Sequence, residues 1–239
     1  MPINRKLIRG SNLSNQKDST NFETKKDIFA RKLIQWHKNN KRNFEWRSTE
    51  DPYKILVAEM MLQKTDASKV ESVYSKFIKK YSDPYILANS DISEIEKEIY
   101  LLGIHQRAER LKRMAETLVN EFNGKVPETK QELVELFGVG DYISNAVLCF
   151  AYKKDVPLLD TNIVRILARV FSIKSEKTRP RTDKKMWETI ESMIPQGKAK
   201  EFNLSLLDFS AKVCTAKKPK HEICPLKEVC DYYIKEVIL

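Results

Sequence analysis

Near the carboxyl end of the chain, "CTAKKPKHEICPLKEVC" places Cys214, His221, Cys224 and Cys230 at C-x6-H-x2-C-x5-C intervals. Three thiols and an imidazole so closely spaced are a soft ligand set, and on ligand types alone zinc is the first metal to consider. Two carboxylates stand apart from them. Asp160 lies between the apolar run "VPLL" and the helical pattern "NIVRILARVF", where an aspartate ordinarily caps the helix. Glu59 lies in "DPYKILVAEMMLQKTDA", and on a helix it shares a face with Ile55, Leu56, Leu62 and Gln63. A lone carboxylate there is either a solvated helix residue or a buried acid that holds its proton. The fourth signal is Gly138-Val139-Gly140. Two glycines around a small residue let backbone approach a ligand closely, with amides of the next helix pointing outward toward an anion such as a phosphate.

The elements that must position these groups are helical. From about Asp27 onward apolar residues recur at helical spacing, without sustained period-two alternation, and six glycines leave few turns for strand hairpins. "EDPYKILVAEMML" and "SDPYILANS" each set a proline behind an aspartate, a helix-start signal. A helix is predicted to end at Phe137, turn through the glycines and restart at once. About ten helices with short connections make an all-α protein.

Bulk composition narrows the partner. Lys and Arg number 43 against 33 Asp and Glu, a net charge of +10 over 239 residues. That surplus favours a polyanion, nucleic acid ahead of a membrane surface. Four cysteines, three of them clustered, with no secretory signal, suit metal binding in a reducing, cytosolic compartment. No apolar run is long enough to span a bilayer. Cys149 falls on an apolar helix and is expected in the core. Residues 1–22 are polar and aperiodic and are expected to form a flexible basic tail.

Together, the L-x-G-V-G turn, the helix after it, a proline-containing loop and an aspartate opening the next helix resemble the helix-hairpin-helix DNA glycosylase superfamily. The cysteine intervals are those of its endonuclease III and mismatch-glycosylase branch, with His221 in the second ligand position. The resemblance runs from about Phe22 to Cys230. It implies a two-lobed fold, with residues 44–154 as a central helical domain and residues 23–43 plus 155–239 as a second lobe containing the cluster loop, 214–230. It implies double-stranded DNA as partner, with the target nucleotide flipped into a cleft, a monomeric state and a cytoplasmic, nucleoid-associated location. By resemblance Asp160 stabilises the sugar cation that forms as the glycosidic bond breaks. Glu59 faces the base pocket as a protonated acid, and Tyr142 stands in that pocket. Endonuclease III has a lysine at the position of Tyr142; a phenol cannot form a Schiff base, so a monofunctional enzyme is expected. Lys153 and Lys154 lie downstream as the amines that could nick weakly.

The DNA contacts implied are Gln63, which fills the gap left by the flipped nucleotide, Lys64 beside it, and the wedge loop of Ile104, His105 and Gln106. They also include the hairpin Gly138, Val139 and Gly140, and the basic loop of Lys217, Lys218 and Lys220. "QRAER" after the wedge, Thr161 after Asp160 where adenine glycosylases place glycine, and an end nine residues past Cys230 favour thymine or uracil opposite guanine. Adenine opposite 8-oxoguanine or guanine, a modified base, and a catalytically inactive DNA-binding protein are the alternatives. The resemblance also replaces zinc by a structural [4Fe–4S] cluster, for which His221 is an unusual ligand. Two departures bear on the hairpin. Phe137 replaces the usual proline, loosening the turn, and Asp141, where a basic residue is common, is expected to repel a phosphate.

Overall fold

The computed structural model describes residues 11–103 and 106–238, and among them there is no strand. The helices are α1 (Ser11–Lys38), α2 (Pro52–Leu62), α3 (Ala67–Lys80), α4 (Pro84–Asn89), α5 (Ile92–Ile99) and α6 (Gln106–Phe122). They continue with α7 (Lys130–Leu133), α8 (Asp141–Phe150), α9 (Thr161–Phe171), α10 (Lys184–Glu191), α11 (Ala199–Lys212) and a short α12 (Asp231–Tyr233). The all-α expectation holds. The chain divides into two compact units, one of residues 42–160 with 196–200, the other of residues 1–41, 161–195 and 201–239.

The first unit is built on α2 and α8, which pack together. Both are apolar almost all round, as helices buried on every side must be. Tyr53 and every residue from Ile55 to Met61 are buried in α2, and Ile143 to Phe150 in α8. The aspartate–proline starts form as read. Asp51 accepts from the amides of Tyr53 and Lys54 at 2.9 and 3.2 Å, and Asp83 from that of Ile86 at 3.1 Å. Each satisfies amides that a first turn leaves without partners. Cys149 is in the core, 1% exposed.

Two features differ from the sequence reading. The helix before the glycine turn ends at Leu133, not Phe137. Beyond it Glu135, Leu136 and Val139 bond three residues back, to Glu132, Leu133 and Leu136. The chain tightens into successive i to i+3 turns, which keep both Leu133 and Leu136 buried. At the amino end, α1 begins at Ser11, so residues 11–22 of the stretch read as a tail are helical. Phe22 packs edge-on against Phe171 and Lys25 pairs with Asp231 at 2.6 Å, which anchors the helix where its polar sequence does not.

In the second unit α1 supplies Phe29 and Trp36 to an aromatic core with Phe171, Phe202 and Phe209. A buried His37 Nε2 meets Asp208 Oδ2 at 2.9 Å and ties α1 to α11.

Candidate functional site

Glu59 sits in the middle of α2, 5% exposed, and among the described residues its buried Oε2 has no hydrogen-bond partner. Burial pushes its pKa up to about 7; the charge of Asp160 adds to the rise and Arg47 opposes it. A buried carboxyl with an unsatisfied oxygen favours its neutral form and keeps a donor to offer. Tyr142, in the first turn of α8, is half-buried. Its phenol is held well above its usual value by desolvation first, then by Glu59 and Asp160, against the pull of Arg47 and Arg42. The three side chains therefore share one electrostatic environment. Two carboxyls and a phenol compete there for few cations, so at neutral pH the phenol keeps its proton and Glu59 is poised between forms.

Asp160 is brought there by the loop before it. Leu158 and Leu159 are fully buried, and Asn145 of α8 donates from Nδ2 to the Pro157 carbonyl at 2.8 Å. Asp155 accepts from the amides of Gly197 and Ala199, pinning the start of the same loop. Asn145, Arg42 and Arg47 were not singled out from the sequence. Arg47 stands in "EWRS" with nothing but its charge to mark it, and the polar Asn145 inside an apolar helix was the one available signal. The downstream amines are engaged elsewhere. Lys153 pairs with Glu50 at 2.9 Å, and Lys154 donates to the Glu128 carbonyl at 2.5 Å.

The glycine turn opens at Gly138, with φ of +84°, and a β-carbon there would meet Met60 Cε at 3.0 Å. The positive φ favours glycine whatever the space, and a β-carbon would in addition press on the Met60 methyl. Val139 is buried while Gly138 and Gly140 are exposed. Asp141 pairs with Lys130 at 2.8 Å, so its charge is partly offset. Gln63 follows the last residue of α2 and donates from Nε2 to the Gly138 carbonyl at 3.0 Å. Lys64 turns the chain with φ of +54° and is exposed. Gln106 opens α6. Ile104 and His105 lie outside the described residues.

In the other unit Cys214, His221, Cys224 and Cys230 all line one small cavity, with Arg169 and Tyr233 among its walls. Burial raises the Cys224 thiol to about 11 and also raises that of Cys230. Arg169 donates to Cys214 Sγ at 3.4 Å. Among the described residues no three His, Cys, Asp or Glu side chains converge as ligands of a single ion. One zinc ion needs its four ligands within about 2.3 Å of one point, whereas a cluster takes each ligand at a separate iron. Donors distributed around a shared cavity fit the second, and the zinc alternative finds no support. Lys217, Lys218 and Lys220 are exposed on the same loop.

The HhH-GPD superfamily base excision DNA repair pattern matches residues 57–192 of this chain. The chain belongs to that superfamily. The iron–sulfur binding domain of endonuclease III matches residues 214–230, the whole of the Cys/His loop. The thymine-DNA glycosylase of Aeropyrum pernix is 44% identical over 211 residues, 87% of this chain and 95% of that protein. The thymine/uracil-DNA glycosylase of Pyrobaculum aerophilum is 43% identical over 212 residues, 87% of this chain and 92% of that one. A solved thermostable thymine-DNA glycosylase superposes with a TM-score of 0.85 at 38% identity, covering 90% of this chain and 99% of that structure. Among the described residues no helix is long and apolar enough to cross a membrane.

Proposed function

We propose that the protein is a monofunctional DNA N-glycosylase that flips thymine or uracil out from opposite guanine and releases it. The observation that carries this reading is Glu59, a buried carboxyl with an orphan oxygen and a pKa raised to about 7, beside Asp160 and Tyr142. The relatives named for thymine and uracil supply the base class.

Glu59 in its protonated form donates to a carbonyl oxygen of the extruded pyrimidine as the glycosidic bond breaks, so the base leaves as a neutral species. The electron pair of that bond departs with the base and leaves positive charge on the sugar. Asp160 stabilises that charge and takes the proton of the water that adds to the sugar. Tyr142, held neutral, lines the pocket and supplies no amine. With Lys153 and Lys154 bonded to other groups, the abasic product stays unnicked.

Cys214, His221, Cys224 and Cys230 are the residues that would hold a [4Fe–4S] cluster. When bound, it cross-links residues 214–230 and shapes the loop of Lys217, Lys218 and Lys220 as a phosphate contact. Gln63, Lys64 and the hairpin Gly138-Val139-Gly140 are the remaining DNA contacts, the hairpin through backbone groups that carry no sequence readout.

The test is single-turnover base release on duplexes containing G·T, G·U and A opposite 8-oxoguanine, each with and without alkali. Strand breaks at G·T and G·U only after alkali, lost to roughly 100- to 1,000-fold slower release in Asp160→Asn, are expected. Release confined to adenine overturns the base assignment, breaks without alkali overturn the monofunctional one, and an unchanged rate in Asp160→Asn overturns the catalytic one.

A further inference from the structure

Three arginines on α6, Arg107, Arg110 and Arg113, recur every third residue in "QRAERLKRMAE" and share one helix face. Each ends on a different group. Arg107 is 2% exposed and donates to the Leu102 carbonyl at 3.0 Å, the Gln63 carbonyl at 2.6 Å and Thr65 Oγ1 at 2.7 Å. Arg110 donates to Gln63 Oε1 at 3.1 Å, and its stem lies 3.6 Å from where a β-carbon of Gly138 would stand. The guanidinium of Arg113 lies 3.5 Å over the ring of Phe137.

An arginine buried for packing alone is normally matched by a carboxylate. Among the described residues none pairs with Arg107 or Arg110, and only the half-exposed Arg113 touches one, Glu109 at 3.6 Å. Arg107 instead takes the carbonyls at the end of α2 and at the turn after α5, Arg110 takes the Gln63 side chain, and Arg113 stacks on Phe137 at the hairpin. Gln63 is the node. Its carbonyl is held by Arg107, its side-chain oxygen by Arg110, and its side-chain amide reaches the Gly138 carbonyl. The Phe137 that replaces a ring-locked proline is fixed from above by Arg113, so the turn regains by stacking the stiffness its sequence lacks.

We propose that this arginine ladder is a positioning device for base extrusion: it fixes the Gln63 segment and the turn at Leu102 in register with the hairpin, so that seating the hairpin on a phosphate drives Gln63 into the stack. Arg107 and Arg110 act through Gln63, and Arg113 through Phe137. None is a catalytic residue. The inference rests on the reading that this protein extrudes a base from duplex DNA.

Two readouts separate positioning from folding and from chemistry. The first is extrusion itself, followed by the fluorescence of 2-aminopurine beside the mismatched thymine in an Asp160→Asn background. The second is single-turnover release from a paired G·T compared with an unpaired thymine in a bulge. In Arg107→Ala, extrusion from the paired duplex is expected to slow roughly 10- to 100-fold, with release from the bulge changed less than about threefold. Arg107→Lys restores part of the loss, because one ammonium meets one of the three acceptors. Arg113→Met, at a half-exposed position that tolerates substitution, is expected to weaken duplex binding about fivefold at unchanged melting temperature. Equal losses on paired and bulged substrates, or normal extrusion in Arg107→Ala and Arg113→Met, overturn the proposal. Extrusion that depends on Arg107 in a protein releasing neither thymine nor uracil would leave the ladder standing and remove the base assignment instead.

Discussion

Glu59 shows how one side chain's environment decides its chemistry. Its carboxyl titrates near 4.5 in an unfolded chain and near 7 when folded, because burial disfavours the charge and Asp160 repels it. Between those values the folded protein holds a proton that the unfolded chain has lost, so stability falls as pH rises through that window. The cost levels off above about pH 7 at roughly 3 kcal/mol, from about 1.4 kcal/mol per unit. Glu59→Gln removes it. That variant is expected to match the wild type in urea denaturation at pH 4.5 and to be the more stable of the two by up to about 3 kcal/mol at pH 8, while losing roughly 100-fold or more in base release. The catalytic profile carries the same sign, with wild-type kcat/KM falling as pH rises through about 7. Asp160→Asn removes the charge that adds to burial in raising Glu59, so carboxyl-resolved NMR titration should find Glu59 below its wild-type value. An unmoved titration would mean that the two carboxyls do not share a field.

Elements explain which parts of this arrangement were readable beforehand. The helix starts at Asp51 and Asp83 were plain, because a cap followed by proline is a local code that needs no tertiary partner. Glu59 was singled out because a carboxylate inside "ILVAEMML" breaks an otherwise apolar helix. The family resemblance implied its burial, but the residues alone left it open, since burial depends on α8 packing across α2. The end of the helix before the hairpin was misplaced because "LVELF" is helical by pattern. Only the burial of Leu133 and Leu136 together, through i to i+3 turns, shortens it. The arginine spacing on α6 was visible but unremarkable, because surface helices commonly carry charges at that interval. What sets it apart is what it grips, the Gln63 segment and the Phe137 ring, which no local pattern encodes. The hairpin yields its own prediction. Gly138→Ala places a β-carbon at a φ of +84°, 3.0 Å from Met60 Cε, and should cost roughly 1–2 kcal/mol in chemical denaturation. Duplex affinity should fall with it, while the pH dependence tied to Glu59 stays in place. A normal affinity would show that Gly138 serves the turn alone.

At the scale of the whole molecule the net charge of +10 has to be converted into phosphate contacts, and the hairpin contributes little of it. Lys130 is paired with Asp141, and Arg107, Arg110 and Arg113 are engaged by backbone, by the Gln63 side chain and by a ring. Backbone amides, the contact proposed for the hairpin, displace no counterion of their own. On the proposed function, the salt-sensitive part of binding is expected from exposed lysines such as Lys64, Lys217, Lys218 and Lys220. Each lysine seated on a phosphate adds about 0.9 to the slope of log affinity against log salt concentration. Replacing Lys217, Lys218 and Lys220 by Gln should lower that slope by about 2 to 3, measured by fluorescence anisotropy with Asp160→Asn protein so that no base is released. Affinity should fall alike for G·T and fully paired duplexes, since phosphates carry no sequence. His221→Ala should lower the slope in the same direction if ligation of residues 214–230 is what presents these lysines. In His221→Cys the slope should be retained, because a thiolate restores the fourth donor. A triple lysine variant with an unaltered slope would place the loop off the DNA and leave the ligand set as a purely internal brace.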